Sequence, residues 1–422
     1  MIKRSFFGIK KPVLEYNILG SAASEVKTIP IPETVLLFSD NVFESLDSVI
    51  LKSGDSVKTG QKLSITRTDS IISTVTGTVK NVTTYSGDFG RKYSAITIEV
   101  SDAEEKDTAF SDVADNPLPD AIAEYLTYLP GKPGISLFTD SGRFKCLVIS
   151  GMDDDLLVTT RQSILKENFN SVKKGIKKLK QLTNIEKIYM TVPERLGQEA
   201  VAAGADALVI DSCYPSANPS FIVEKITGSP VPAGKQIEDE GFCFISVEAV
   251  ASIGEAFENK QVPVNKTFTL TDKYNRQKLV SARIGTPLKD IFKELYVTIN
   301  ENDRIVIGGP MKGAAVYSED YSICPDTDAV IVQDKSDLPF VTDSYCINCG
   351  ECIRICPAKV PVNTLIRLLE AGEYEEAADN HDLNSCIDCG LCSYVCTAGI
   401  PIFHYIRLAK YELSRIEVAE EA

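Results

Sequence analysis

Two runs of cysteine carry the clearest chemistry in this chain. Eight of its twelve cysteines lie between Cys346 and Cys396, and the others are far away in sequence. Both runs read C-x2-C-x2-C-x3-C, which is a spacing by which thiolates hold [4Fe-4S] clusters. The first run is followed by Pro357, whereas the second has Thr397 at that position. The spacing therefore predicts iron–sulfur chemistry.

The spacing also predicts which cysteines share a cluster. Three thiolates separated by two residues each can wrap one face of a cubane, and the fourth points away. In chains with two such runs, that fourth cysteine ligates the other cluster. The prediction is one cluster on Cys346, Cys349, Cys352 and Cys396, and a second on Cys386, Cys389, Cys392 and Cys356. Crossed ligation places the two clusters close together, which suits the relay of electrons.

Other roles for the cysteines fit less well. Zinc ribbons use pairs of C-x2-C and not triplets with a fourth cysteine. A disulfide scaffold is typical of small secreted chains, and this chain has 422 residues. Purely structural clusters are disfavoured, because paired clusters with crossed ligation are typical of electron carriers. Gly350 and Gly390 follow the second cysteine of each run and allow tight turns that aim backbone amides at sulfur.

Helices are expected to position the two runs. Apolar residues recur at helical spacing at Val362, Leu365, Ile366 and Leu369, between the runs. A similar stripe follows the second run, at Ile402, Tyr405, Ile406, Ala409 and Leu413. We therefore predict an α-helical ferredoxin domain over residues 340–415. The only two histidines, His381 and His404, are interpreted as ordinary packing or surface residues.

The N-terminal part is expected to be a β domain. The pattern L-x-x-G-D-x-V-x-x-G-Q-x-L, which starts at Leu51, resembles the barrel-sandwich hybrid of biotinyl and lipoyl carriers. The modified lysine of such carriers would fall at residues 66–70, and this stretch contains no lysine. We therefore expect residues 1–110 to form an N-terminal extension and a structural barrel-sandwich hybrid.

The middle of the chain predicts two further domains. Between residues 115 and 262, short apolar strands alternate with helices, which indicates a largely parallel α/β sheet. Ligands of such sheets bind beyond the carboxyl ends of the strands, here near residues 151–155 and 211–215. Residues 263–334 predict a hairpin, a short helix from Leu288 to Leu295, and a strand that enters the turn at 309–313. This turn is interpreted as a plain turn in preference to a phosphate cradle.

Composition excludes several functions. The formal net charge is −15, which makes nucleic acid an improbable partner. Charged residues interrupt residues 1–23, so we expect no secretory signal peptide. No run approaches the roughly 20 apolar residues that span a bilayer. The expectation is a cytoplasmic protein without a transmembrane segment, able to dock on the inner face of the cell membrane through an embedded partner.

The order of modules resembles the C subunit of the Rnf electron-transport complex. It is also similar to the A subunit of sodium-pumping NADH:quinone reductase, which lacks the clusters. The motifs behind the resemblance are the pattern at Leu51, Tyr214-Pro215, Gly308-Gly309-Pro310-Met311 and the two cysteine runs. The resemblance implies a multidomain α/β plus β protein: a barrel-sandwich hybrid, a Rossmann-like flavin and NADH domain, a β-grasp (SLBB) domain and a dicluster ferredoxin.

The flavin loops of that family are degenerate here. The family pattern G-x-G-G-A-G-F-P corresponds to residues 128–138, which keep two glycines and gain prolines. The family pattern N-x-x-E-x-E-P corresponds to residues 151–157, which carry aspartates. If a flavin phosphate still binds, the resemblance implies Gly131, Lys132, Gly134 and Asp153 as its contacts. These changes disfavour FMN, because phosphate recognition needs close backbone approach.

Two functions follow from the sequence. The first is an electron-transfer subunit of an oxidoreductase complex, with no catalytic residue of its own, that relays electrons through two [4Fe-4S] clusters between other redox subunits. The alternative is a catalytic NADH/FMN dehydrogenase subunit in which the clusters carry electrons out. The degenerate loops favour the relay. The electron donor, the acceptor and any ion pumping are not specified by the sequence.

Overall fold

The computed structural model describes residues 11–20, 25–41, 48–87 and 92–421, with side chains to residue 416. The predicted N-terminal extension therefore lies partly outside the described residues. The chain divides into two compact units. The large unit comprises Tyr16–Ser212 and Glu238–Lys335, and the cysteine unit comprises Met1–Glu15, Cys213–Ile237 and Ser336–Ala422. Across the described residues, no helix is both long and apolar enough to cross a lipid bilayer.

The described residues form sixteen strands and fourteen α-helices. The strands are β1 (Val26–Thr28), β2 (Thr34–Ser39), β3 (Ser56–Val57), β4 (Lys62–Ser64), β5 (Ser70–Ile72), β6 (Gly77–Ser86), β7 (Lys92–Val100), β8 (Cys146–Ser150), β9 (Ile188–Val192), β10 (Asp206–Val209), β11 (Phe242–Ser246), β12 (Asn265–Thr271), β13 (Gln277–Arg283), β14 (Arg304–Ile307), β15 (Ala314–Val316) and β16 (Ala329–Gln333). The helices are α1 (Ala109–Asp115), α2 (Pro119–Leu126), α3 (Ser136–Thr139), α4 (Thr160–Glu167), α5 (Phe169–Thr183), α6 (Gly197–Ala203), α7 (Pro219–Thr227), α8 (Val247–Asn259), α9 (Leu288–Leu295), α10 (Glu351–Ile355), α11 (Val362–Ala371), α12 (Tyr374–Asn380), α13 (Leu391–Val395) and α14 (Ile402–Glu421).

The first β domain of the large unit is an antiparallel sheet with a hairpin. Its strand order is β2-β7-β6-β3, and β4 pairs with β5 beside it. Side chains of β2 alternate between buried and partly exposed, so that Val35 and Leu37 enter the core. The stretch from residue 66 to 69 is the turn of the β4–β5 hairpin, and the Thr66 N–H donates to the Asp69 carbonyl.

A parallel sheet forms the second part of the large unit. Its strand order is β10-β9-β8-β11, and every pair is parallel. Helices α5 and α8 pack closely, because Gly175 on α5 and Gly254 on α8 offer no side chain at their contact. Strands alternate with helices here as predicted, and every strand pair is parallel, so the parallel α/β sheet is confirmed.

A six-stranded sheet completes the large unit. Its order is β1-β13-β12-β16-β14-β15. The predicted hairpin is the antiparallel pair β12–β13, and the predicted helix from Leu288 to Leu295 is α9, whose apolar side is buried. Strand β1 precedes the β domain in sequence but pairs in parallel with β13. Sequence analysis did not anticipate this return, since three residues carry no detectable period.

Helices enclose a separate core in the cysteine unit. The periodic residues Leu365 and Ile366 of α11, and Ile406 and Ala409 of α14, are buried together in it. The two predicted helical stripes are therefore confirmed. Residues 213–237, including α7, belong to the same unit although the chain reaches them directly from the parallel sheet.

Candidate metal centre

The two cysteine runs fold as two copies of one local structure. Residues 346–362 read CINCGECIRICPAKVPV, and residues 386–402 read CIDCGLCSYVCTAGIPI, forty positions later. Left-handed backbone occurs at the same three places in each copy: Asn348, Gly350 and Lys359, and Asp388, Gly390 and Gly399. Alternating left- and right-handed residues turn successive N–H groups toward one concave point, as in many iron–sulfur sites. The sequence analysis compared the cysteines, the glycines and the residue after each run, but not the further left-handed positions, which also repeat.

The structure brings together the first predicted ligand set. One cavity is lined by Cys346, Cys349 and Cys352 of the first run and by Cys396 of the second. The cavity is small, with a volume of about 20 Å³. The rest of the lining is apolar or small, including Ile366 of α11. Four thiols from two runs thus face a common space.

The second predicted set is also grouped. Cys386, Cys389 and Cys356 lie near enough to Cys392 to raise the pKa of its thiol further, after the larger effect of its burial. Cys356 belongs to the first run, so this group also crosses between the runs. None of the eight cysteines forms a disulfide.

Burial holds several of these thiols neutral. It raises the pKa of Cys352 to about 11 and the pKa of Cys386 to about 12. A cysteine binds metal as a thiolate. The positive charge of bound iron would therefore have to offset the cost of deprotonating these buried thiols. Among the described residues, no three His, Cys, Asp or Glu side chains are placed to hold a single ion. The thiolates of a cubane bind four different irons, and the thiol groups fit such ligation.

Part of the predicted flavin site lines a cavity of the large unit. Lys132 and Gly134 line a cavity of about 650 Å³, and several tyrosines line it as well. The Lys132 ammonium forms ion pairs with Asp40, at 2.7 Å, and with Asp326, at 3.6 Å. The Gly131 N–H already donates to the Pro325 carbonyl at 2.7 Å, so it is not available to a phosphate.

Asp153 does not line that cavity. Its carboxylate is 1% exposed and accepts hydrogen bonds from the Arg161 N–H and the Gln162 side-chain amide, at 2.8 and 2.9 Å. Burial raises the pKa of Asp153 to about 6. The nearby Asp155 accepts the backbone N–H groups of Met311 and Lys312, and so closes the glycine turn predicted as a plain turn.

Sequence analysis missed three residues that contact the second cysteine run. Tyr214, Asn218 and Lys410 all donate hydrogen bonds to backbone carbonyls within residues 386–389. Tyr214 was placed in a ligand loop at the edge of the parallel sheet. The structure assigns it to the cysteine unit, because residues 213–237 leave the sheet after β10.

Two known families match this chain in part. Residues 13–104 match the family described as "RnfC Barrel sandwich hybrid domain", and residues 338–397 match the "4Fe-4S dicluster domain". A similar protein over most of its length is the C subunit of the proton-translocating ferredoxin:NAD(+) oxidoreductase complex of Clostridium ljungdahlii. It is 24% identical over 388 residues, which cover 86% of this chain and 84% of the relative. The chain is RnfC-like. The β domain is thus a barrel-sandwich hybrid, and the cysteine unit contains a ferredoxin-like domain.

Other relatives match the RnfC-like chain over a shorter stretch. The C subunit of the ion-translocating oxidoreductase complex of Pectobacterium carotovorum is 26% identical over 56% of this chain, which covers 33% of the relative. The C subunit of the Na(+)-translocating ferredoxin:NAD(+) oxidoreductase complex of Acetobacterium woodii is 24% identical. The match covers 57% of this chain and 56% of the relative. The chain spans about a third and about half of these two relatives.

One solved structure also has a partial likeness. It is an NAD+-reducing [NiFe]-hydrogenase in the H2-reduced state, 13% identical, with a TM-score of 0.45. The match covers 71% of this chain and 62% of the hydrogenase chain.

Proposed function

We propose that this chain is an electron-transfer subunit of an oxidoreductase complex, which relays electrons through two [4Fe-4S] clusters between partner subunits. The observation that carries the proposal is the grouping of Cys346, Cys349 and Cys352 with Cys396 around one cavity. Ligands shared between the two runs hold both sites within one small helical core. When bound, each cluster accepts and donates one electron at a time.

The chain's own residues support a relay in two ways. The buried side chains of α11 and α14 form a rigid apolar wall that limits water access to the thiols. The loop of the first run is open to solvent instead: Ile347 is 66% and Tyr345 is 88% exposed, and Cys349 is also exposed. A partner protein can therefore approach the first cluster closely without rearranging the core.

The finer architecture is also part of the proposal. We infer a barrel-sandwich hybrid within residues 1–110, a Rossmann-like domain over 115–262, a β-grasp domain over 263–334 and the ferredoxin domain over 340–415. The antiparallel, parallel and six-stranded sheets support these divisions. Strand β1 is an exception to simple boundaries, because it pairs with β13.

The alternative is a catalytic NADH/FMN dehydrogenase subunit. The cavity beside Lys132 and Gly134 favours it, since about 650 Å³ lined by tyrosines suits a planar ligand. Gly131 and Asp153 argue against a flavin site. The Gly131 N–H and the Asp153 carboxylate already form hydrogen bonds within the protein. We therefore infer that the flavin site is degenerate and that the relay is the main function.

The partners in the proposal are other redox subunits. The names of the relatives describe subunits of ion-translocating complexes, which supports assembly with a membrane-embedded partner. Association with the inner face of the cell membrane would then come through that partner.

The proposal is tested by metal analysis and one cysteine substitution. The anaerobically purified chain should contain about eight irons and eight labile sulfides. Cys356→Ser should disturb the cluster held by Cys386, Cys389 and Cys392, whereas Cys213→Ser, outside the runs, should leave both intact. Electron paramagnetic resonance of the reduced proteins distinguishes the two clusters. Four irons, stoichiometric zinc, or a Cys356→Ser effect confined to the first cluster would contradict these assignments.

A further inference from the structure

The two copies of the cysteine motif differ in how their loops are held. In the second copy, three contacts reach the loop from outside it. The Tyr214 hydroxyl donates to the Cys389 carbonyl at 2.7 Å, and the Asn218 side-chain amide donates to the Ile387 carbonyl at 3.0 Å. The Lys410 ammonium donates to the Cys386 carbonyl at 2.7 Å.

Among the described residues, the first copy has no counterpart of these contacts. Within the part of the chain that the structure describes, no side chain donates to the carbonyls of Cys346, Ile347 or Cys349. Forty positions before Lys410 stands Glu370, a carboxylate that cannot donate a hydrogen bond to a carbonyl. Tyr214 and Asn218 lie outside the repeat altogether. The inequivalence therefore comes from one difference in the helices that follow the two copies and from a segment elsewhere in the chain.

Tyr214 and Asn218 are well fixed for this role. Both are buried in the cysteine unit. Asn218 is also the N-cap of α7, because its side-chain oxygen accepts the Ser220 N–H at 3.0 Å while its amide nitrogen reaches Ile387. A side chain bonded at both ends of its amide has little rotational freedom. The loop position therefore depends on α7.

The contacts reach the ligand sulfur through a peptide group. The Ile387 carbonyl and the Asp388 N–H belong to one peptide, which directly follows the ligand Cys386 in the loop. Donation to a carbonyl polarises the peptide, so its N–H becomes a stronger donor. Hydrogen bonds to cluster sulfurs stabilise the more negative, reduced form. The Asn218 amide therefore acts on the sulfur of Cys386 without touching it.

Lys410 adds charge to the same loop. Its ammonium also forms an ion pair with Asp388 at 2.8 Å, which offsets the carboxylate that replaces Asn348 of the first copy. A cation near a site that gains an electron favours the reduced form. Burial acts in the opposite direction, because desolvation disfavours added charge. The second loop is more buried than the first. The hydrogen bonds from Tyr214, Asn218 and Lys410 offset the cost of adding negative charge there.

We propose that Tyr214, Asn218 and Lys410 are positioning residues that raise the reduction potential of the second cluster and leave the first unaffected. This inference rests on the proposed function. It assigns a role to the Tyr-Pro motif and explains how two nearly identical motifs become unequal sites.

The test is an anaerobic redox titration followed by electron paramagnetic resonance. The variants are Tyr214→Phe, Asn218→Ser and Lys410→Met, with Lys410→Arg as the conservative rescue. Serine keeps the N-cap of α7 but is too short to reach Ile387. Each of the three should lower the potential of the second cluster, and Lys410→Met should do so by roughly tenfold in the reduced-to-oxidised ratio, about 59 mV for one electron.

Controls separate this inference from the proposed function. Tyr345→Phe, an exposed tyrosine beside the first loop, should change neither potential. Glu370→Lys should raise the potential of the first cluster. Selective loss of the second cluster in Tyr214→Phe would also support positioning, whereas equal shifts, unchanged potentials or loss of both clusters would overturn it. A wild-type chain that binds no cluster would refute the proposed function instead.

Discussion

Asp153 has a role set by its surroundings and not by its place in an acidic loop. Its carboxylate is buried, and the Arg161 N–H and Gln162 amide orient it at the start of α4. The adjacent Asp154 pairs with the Arg161 side chain at 2.8 Å. The family resemblance implied Asp153 as a contact if a flavin phosphate still binds; in the structure Asp153 and Asp154 fix a loop through these contacts.

The raised pKa of Asp153 predicts a pH-dependent stability difference. The ordinary value is 3.8 and the folded value is about 6, so the folded state binds the proton more tightly. Its contribution to stability is therefore greatest below about pH 4 and is lost as the pH rises to about 6. Asp153→Asn removes this cost of ionisation. Relative to that of wild type, the free energy of unfolding of the variant should rise by roughly 3 kcal/mol between pH 4 and 7.

Thermal unfolding of both proteins across this pH range measures the difference. The internal control is the same comparison below about pH 4, where Asp153 is protonated in both states and the two proteins should differ least. A difference between Asp153→Asn and wild type that is constant with pH would contradict the prediction.

At the scale of elements, one helix pair fixes the parallel sheet's outer layer. A Cβ on Gly175 would lie 1.9 Å from the Val250 carbonyl oxygen, and a Cβ on Gly254 would lie 2.1 Å from the Ser171 oxygen. Real Cβ atoms do not approach so closely, so α5 and α8 can pack at this distance only because both residues are glycine. Neither glycine was singled out from the sequence, because a lone glycine in a helical pattern does not show which residue packs against it.

Gly175→Ala should therefore push α5 away from α8. Overpacking of this kind costs about 1–3 kcal/mol. The melting temperature should fall, while the iron content of the cysteine unit should stay unchanged because α5 and α8 belong to the large unit.

Gly197→Ala is the matched control for this change. Gly197 is the first residue of helix α6, and a Cβ there meets no atom within 4 Å. Its substitution should leave stability unchanged or raise it slightly. Equal melting temperatures for the two variants would contradict the importance of the α5–α8 contact.

At the scale of the whole molecule, the question is whether electrons enter from NADH within this chain. The large unit has a tyrosine-lined cavity, but the Gly131 N–H is bound to Pro325 and Lys132 is paired with Asp40 and Asp326. Hydride transfer needs the nicotinamide held against a flavin in reactive geometry. The Gly131 N–H and the Lys132 ammonium are thus already engaged within the protein.

We expect the isolated chain to oxidise NADH far more slowly than typical enzyme turnover, roughly 1–10³ per second. Anaerobic stopped-flow mixing with NADH, with and without added FMN, measures the bleaching of the clusters. Rapid bleaching by dithionite is the control that the clusters are reducible. Fast bleaching by NADH in the FMN-loaded chain would favour the dehydrogenase over the relay.

The sequence by itself determined the features that depend on short spacing. Short apolar runs indicated the strands of the parallel sheet, and apolar residues at helical spacing indicated the helices α11 and α14. The C-x2-C-x2-C-x3-C spacing identified the cysteine sites, because ligands within a few residues of each other must share one local backbone. The Leu51 pattern indicated the barrel-sandwich hybrid through its resemblance to biotinyl and lipoyl carriers.

Only the tertiary structure decided the features that join distant segments. The pairing of β1 with β13, the burial of Asp153 and the contacts of Tyr214 and Asn218 with the second cysteine loop all link residues far apart in sequence. A single sequence records the types of these residues but not their partners. Hydrogen bonds and burial depend on three-dimensional neighbours, and these arise only when the separate elements pack.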